Sequence, residues 1–382
     1  MSSMKKVHIF WYAFFSEDGK SVSTGGVQTY LINLTKVFNE LGYEVHFYRP
    51  GKNDIECEHY NIKMHGFKCD INPQKLTKRA QATFNHYKAN INKDTDIILF
   101  AEDHQSCKIK GYHVMALQHG IYWDIPVNSA RNSKLRFAKA LIEKTLDTIR
   151  LLKHSTYFDL MVCVDYNYVN WYRALMPCTK TKLVAIPNFA PLFPDVQKPD
   201  RTVNIMFARR FVSFRGTRVF GLAIKRILTE YENVHVTLAG WGPDENWLHE
   251  QLDSFGDKVE FTSYKSEDSF KIHSDKHIAV VPTVGSEGTS LSLLEAMSSH
   301  CAVIGSDVGG ITNIIIDGYN GLITPAGDSK KLYEAIKLLI DNPKERDNMA
   351  SKGYDTINKG FSFDIWKNKW LKTIKEYEAE WK

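Results

Sequence analysis

The sequence predicts an α/β protein built as two doubly wound domains, and three observations carry that expectation. Short apolar runs alternate with segments of helical periodicity along the chain, the pattern of parallel strands with helices on both faces. One proline-rich stretch interrupts the alternation, which then starts again. A length of 382 residues suits two domains, each with its own core. The expected boundaries are a first domain over 1–190, a linker over 191–201, a second domain over 202–360 and a closing helix over 361–382.

The elements follow in order. Lys5 and Lys6 ahead of the apolar run Val7–Phe15 imitate a short signal peptide, but Ser16, Glu17 and Asp18 stand where a cleavage site would need small residues. Val7–Ala13 is therefore read as a buried first strand. Gly25 and Gly26 precede a helix whose apolar residues recur from Val27 to Leu41, and Gly42 stops it. Glu44–Tyr48 completes a βαβ unit. A helix over Gln74–Ile91, strands at Asp96–Ala101 and His113–Leu117, a long basic helix from Asn132 to Leu152, and strands at Asp159–Val164 and Leu183–Ile186 finish the first domain. Pro187, Pro191, Pro194 and Pro199 make 187–201 an extended connection. Strands then recur at 204–208, 235–238, 259–262, 278–281, 302–304 and 322–324, with helices between them, and helices over 343–358 and 363–381 close the chain.

Composition narrows the function. The 43% hydrophobic fraction is that of a soluble globular chain. A net charge of +5 is too weak for nucleic acid, and suits a phosphorylated ligand or an anionic membrane surface. The six cysteines are scattered without a C-x-x-C pair, which reads as reduced thiols of a cytoplasmic protein. Nothing approaches the length of a membrane span.

The densest chemistry lies in Val281–Gly310. A strand ends, Ser286, Glu287, Gly288, Thr289, Ser290 and Leu291 follow, and a helix begins. Backbone N–H groups of Gly288, Thr289, Ser290 and Leu291 at a helix start form an anion site. Glu287 and Glu295 flank it, which suggests a ligand with hydroxyls as well as phosphates: Glu295 for a ribose diol, Glu287 for a sugar hydroxyl. Arg209, Arg210 and Arg215 follow the strand at 204–208. The pair Arg210 and Arg215 is spaced to clamp a diphosphate and to stabilise charge on a departing nucleotide. Gly25 and Gly26 offer N–H groups from the other domain, and His119 ends a strand where open α/β sheets place ligands. Gly240 and Tyr264 are candidate lining of the nucleotide pocket. The segment from Arg131 to His154 carries Lys134, Arg136, Lys139, Lys144, Arg150 and Lys153 beside an apolar face, and is a candidate for peripheral contact with an anionic membrane.

These residues together resemble the retaining glycosyltransferases of family 4, which have the GT-B fold. Gly25–Gly26 is similar to that family's N-terminal glycine loop, and His119 to a histidine at the donor sugar. Arg210 and Arg215 fall on its diphosphate-binding basic pair, and Glu287 and Glu295 on its E-x7-E pair, with Gly309–Gly310 behind. Pro187-Asn188 resembles the start of its linker. Arg209 stands where glycine is usual, and Arg215 where lysine is usual.

The resemblance implies two Rossmann-like domains facing across a cleft, the first on the acceptor side and the second holding a nucleotide sugar, with the last helix crossing back to the first. It implies a retaining hexosyltransferase that takes a UDP, GDP or dTDP sugar to a glycan or lipid-linked acceptor, in bacterial surface polysaccharide synthesis. No metal or other cofactor is required on this reading, since arginines and a helix N-terminus take the part of a divalent cation. Asp94-Thr95-Asp96 leads into a strand of the first domain and makes a poor D-x-D metal motif. A sugar-nucleotide epimerase or phosphorylase of the same fold, or a non-catalytic nucleotide-sugar-binding subunit, are the alternatives. The enzyme is expected in the cytoplasm, with a peripheral membrane site at the inner face as an option.

Overall fold

The computed structural model describes residues 4–23, 25–126, 133–285 and 287–381. Arg131, Asn132 and Ser286, placed above in the basic helix and the site loop, lie outside the described residues. The chain forms two compact units. One comprises Met1–His119, Asn128–Ile186 and Lys367–Lys382, the other Gly120–Val127 and Pro187–Trp366. The segment Gly120–Val127, read from sequence with the first domain, groups with the second.

The first unit contains β1 (Lys5–Phe10), α1 (Gly26–Glu40), β2 (Tyr43–Gly51), β3 (Ile55–His59), β4 (Ile62–Lys68), α2 (Leu76–Tyr87), β5 (Ile97–Phe100), β6 (His113–Gln118), α3 (Lys134–Ser155), β7 (Leu160–Cys163), α4 (Tyr166–Leu175) and β8 (Lys182–Ala185). The strands make one sheet in the order β3-β4-β2-β1-β5-β6-β7-β8. Every pair is parallel except β3 with β4. Leu31, Leu34, Val37 and Phe38 of α1 are fully buried, as their helical spacing requires. Gly42, at φ +81°, ends that helix by donating its N–H to the Asn39 carbonyl at 3.0 Å. The β3–β4 hairpin and α4 are findings beyond the sequence reading, and α2 is shorter than the helix expected over 74–91.

The second unit contains β9 (Val203–Ala208), α5 (Thr217–Glu230), β10 (Val234–Ala239), α6 (Glu245–Leu252), β11 (Val259–Thr262), α7 (Ser269–His273), β12 (Ile278–Val281), α8 (Leu291–Ser298), β13 (Ala302–Ser306), β14 (Leu322–Thr324), α9 (Ser329–Asp341) and α10 (Pro343–Thr356). Its sheet, β11-β10-β9-β12-β13-β14, is wholly parallel. Strand alternation divides the core in two. Ile205 and Phe207 of β9 pack with Ile224, Ile227, Leu248 and Ile336 on one face. Met206 and Ala208 pack with Leu293, Leu294, Met297 and Ile311 on the other. Both faces are covered by helices, which is why the strands read as continuous apolar runs rather than alternating ones.

The last helix, α11 (Phe363–Ala379), belongs to both units. Trp366 packs on Phe189 at 4.7 Å in the second. Trp370, Ile374 and Tyr377 are buried in the first, where Trp370 Nε1 donates to the Tyr30 hydroxyl at 3.0 Å and the Tyr377 hydroxyl donates to Asp159 at 3.0 Å. Among the described residues, no helix is long and apolar enough to cross a membrane.

Candidate active site

The second unit gathers its chemistry at the C-terminal ends of β9, β10 and β12. The chain leaves β9 at Ala208 and turns Arg209 inward, its side chain only 6% exposed. The Arg209 guanidinium donates to Thr283 Oγ1 at 2.7 Å and to Glu287 Oε2 at 2.6 Å. Arg215 donates to the same Glu287 oxygen, and the Thr283 hydroxyl adds a third bond to it at 2.9 Å. Burial pushes the Glu287 carboxyl up, but the two guanidiniums outweigh that and hold it below the ordinary carboxylate range. Glu287 is therefore an anion with two cations on one oxygen. The cluster keeps a net positive charge, the electrostatic deficit a diphosphate would fill.

This arrangement corrects the sequence reading of the basic pair. Arg210 is exposed and lies over the Trp241 ring at 5.0 Å, so the inward partner of Arg215 is Arg209. Adjacent residues leave a strand end in opposite directions, and the residue spacing used from sequence does not see that.

Close backbone packing shapes the loops around Glu287. Gly309 and Gly310, read from sequence only as the close of the motif, hold the Glu287 loop from behind. The Gly310 N–H donates to the Glu287 carbonyl at 3.1 Å, and a Cβ on Gly309 would stand 2.1 Å from that same oxygen. Asn188 Nδ2 donates to the Thr289 carbonyl at 2.7 Å, which ties the linker to the loop. Gly240, a candidate for the nucleotide pocket or for a strand-end turn, packs β10 on the arginine loop: a Cβ there would meet the Arg209 carbonyl at 1.9 Å.

Ser290 caps α8, and Thr289 and Ser290 are buried. Gly288 precedes them, Leu291 opens the helix, and the first N–H groups of such a helix have no intrahelical acceptor. Glu295 lies one turn in. The Tyr264 hydroxyl reaches its Oε2 at 3.5 Å, and burial raises the Glu295 carboxyl to about 7. Tyr264 packs on the apolar cluster beneath, its ring nearly perpendicular to that of His273 at 5.9 Å.

His119, Gly25 and Gly26 lie in the first unit. The N–H at His119 Nε2 donates to the Ala101 carbonyl at 3.1 Å, and the edge of Tyr30 meets the His119 ring at 5.5 Å. Burial lowers its pKa to about 4, so the imidazole is neutral near pH 7. Gly25 caps α1, its carbonyl accepting from the Thr29 N–H at 3.0 Å. Sequence reasoning missed Thr283 altogether; its place two residues beyond the end of β12 was the available signal.

Comparison with known proteins bears on this site directly. Residues 202–342 match the family "Glycosyl transferases group 1". The matched segment spans β9 to α9 and so contains Arg209, Arg215, Thr283, Glu287 and Glu295. The phosphatidyl-myo-inositol mannosyltransferase of Mycobacterium leprae is 26% identical over 159 residues, which is 41% of this chain and 42% of that protein. The protein of the same description from Mycolicibacterium smegmatis is 21% identical over 88% of this chain and 86% of its own length. Sucrose-phosphate synthase from Thermosynechococcus elongatus superposes over 98% of this chain and all of its own, with a TM-score of 0.77 at 16% identity. Anabaena HepE, solved in complex with UDP, gives a TM-score of 0.70 at 14% identity, over 98% of this chain and all of its own. The matched segment thus lies in a chain of GT-B fold.

Proposed function

We propose that this protein is a retaining glycosyltransferase that moves a hexose from a nucleoside-diphosphate sugar to a glycan or lipid-linked acceptor in polysaccharide or glycolipid synthesis. The observation that carries the proposal is the pairing of Arg209 and Arg215 on Glu287, beside the N-terminus of α8 and inside a group 1 glycosyltransferase domain. Two cations at a strand end suit a diphosphate leaving group, whose charge grows as the glycosidic bond breaks. Glu287, within reach of both, is suited to hold a hydroxyl of the transferred sugar and to set the arginines. Glu295 is suited to a ribose diol. HepE, with the same fold, was solved with UDP, which supports a nucleotide donor.

The test is a thermal-shift screen of UDP, GDP and dTDP sugars, followed by product analysis with candidate acceptors. At least one donor is expected to raise the melting temperature, and the product is expected to keep the donor's anomeric configuration. No shift with any donor and no donor hydrolysis would sink the reading.

The raised pKa of Glu295 makes a separate prediction. Ribose hydroxyls donate best to a carboxylate, so below about pH 7 nucleotide binding must first expel a proton. UDP affinity measured by calorimetry should rise with pH from about 6 to 8. Glu295→Gln should flatten that dependence and weaken binding by roughly tenfold; an unchanged slope in the variant would remove Glu295 from the nucleotide site.

A further inference from the structure

From α3 we infer that the first unit docks on an anionic lipid bilayer, an inference that does not depend on the catalytic reading. In most soluble proteins exposed apolar side chains are scattered singly. Here six large ones stand on a single helix: Leu135 (82% exposed), Phe137, Leu141, Ile142, Leu146 and Ile149. The helix meets its own unit chiefly through Ala140, Leu151, His154 and Ser155.

The exposed residues are ordered. At about 100° per residue, Leu135, Ile142, Leu146 and Ile149 fall within roughly 60° of one another, Leu141 lies about 80° further round on one side, and Phe137 stands apart from the stripe. Lys139 and Arg150 border the other side, and Lys134 and Lys153 sit at its two ends. The helix carries six Lys and Arg residues against Glu143 and Asp147 alone, and these two carboxylates face Lys139 and Arg150 at 3.8 and 2.7 Å. Ser133 caps the helix by accepting from the Arg136 N–H.

Charge complementarity selects the occupant. An apolar stripe with a cationic border on a helix too polar to cross a bilayer is the pattern of a helix lying at a lipid interface, apolar side chains among the acyl chains and cations at the headgroup phosphates. A protein partner covering the same face would need an apolar surface with an acidic rim.

The experiment uses the full chain and sedimentation with vesicles of phosphatidylglycerol and phosphatidylcholine, against phosphatidylcholine alone. The protein is expected to pellet with the anionic vesicles at about 50 mM salt and to be released at about 500 mM. Ile142→Ser with Leu146→Ser should cut the bound fraction at least tenfold without lowering the melting temperature, both side chains being more than half exposed. Lys134→Gln with Lys153→Gln should weaken binding to the anionic vesicles only. The inference is overturned by absence of pelleting at low salt, or by unchanged binding of the serine variant. It is equally overturned by a dimer in solution that the serine variant abolishes, since a second copy would then own the stripe.

Discussion

Glu287→Gln should cut turnover of sugar transfer by about 10²–10³-fold while changing UDP affinity by less than about tenfold. The geometry sets this asymmetry. The Glu287 carboxylate holds both Arg209 and Arg215 through one oxygen. Glutamine fills the same space and keeps one acceptor, but it no longer competes with a diphosphate for the two guanidiniums. Nucleotide binding is thus spared, while the contact assigned to the transferred sugar is lost. Breaking a buried ion pair outright costs roughly 3–5 kcal/mol, so Glu287→Ala would confuse catalysis with stability; glutamine limits that cost. Steady-state kinetics and calorimetry on the same preparation decide the matter. Equal losses in turnover and in UDP affinity would show that Glu287 serves the nucleotide and not the sugar. Arg215→Ala is the complement: its side chain is 28% exposed, Arg209 and Thr283 still hold Glu287, and the expected damage is to UDP binding.

Gly216→Ala should lower stability by at least about 3 kcal/mol and abolish activity at temperatures where the wild type works. Gly216 starts α5 at φ +81°, a conformation costly to any residue with a Cβ. The added carbon would also stand 1.8 Å from the Pro282 carbonyl oxygen, so backbone must move. Arg215 and Thr283 are the immediate neighbours of the two clashing residues, and any shift separates them from Glu287. Gly318→Ala is the control. Its φ of +73° is nearly the same, but nothing lies within 4 Å of the added carbon, so only the conformational cost of about 1–2 kcal/mol applies. At about 2–4 °C per kcal/mol for a unit of this size, calorimetric melting should separate the two variants by several degrees. Equal melting temperatures would mean that the Pro282 loop yields freely.

Much of this architecture was legible because buried parallel strands are written as apolar runs. Those of β9, β12 and β13 were located to within a residue or two. The β3–β4 hairpin was not, because Ile55–His59 alternates with Glu56 and Glu58 as an edge strand does and shows no run. In α4, Tyr168 and Tyr172 are the buried side chains; both carry hydroxyls and weaken the helical signal. The site was legible in outline through Glu287, Glu295, Arg215 and the glycines. Its internal wiring was not. Whether Arg209 or Arg210 turns inward depends on the exit direction from β9, and the use of Gly240 depends on a carbonyl from another strand end. Such facts belong to tertiary approach and leave no periodic trace.

The path of α11 has a consequence for how the protein is made. Trp370, Ile374 and Tyr377 complete the core of the first unit, yet in sequence they follow the whole of the second. At roughly 5–20 residues per second, about 10–40 s separate the synthesis of β8 from that of α11. During that interval the nascent first unit exposes the apolar slot that α11 will cover, including the Tyr30 hydroxyl that awaits Trp370. The second unit has nearly all of its chain before then. The first unit is therefore finished only after the second has been synthesised, and ribosome-bound intermediates carry it sticky and half built.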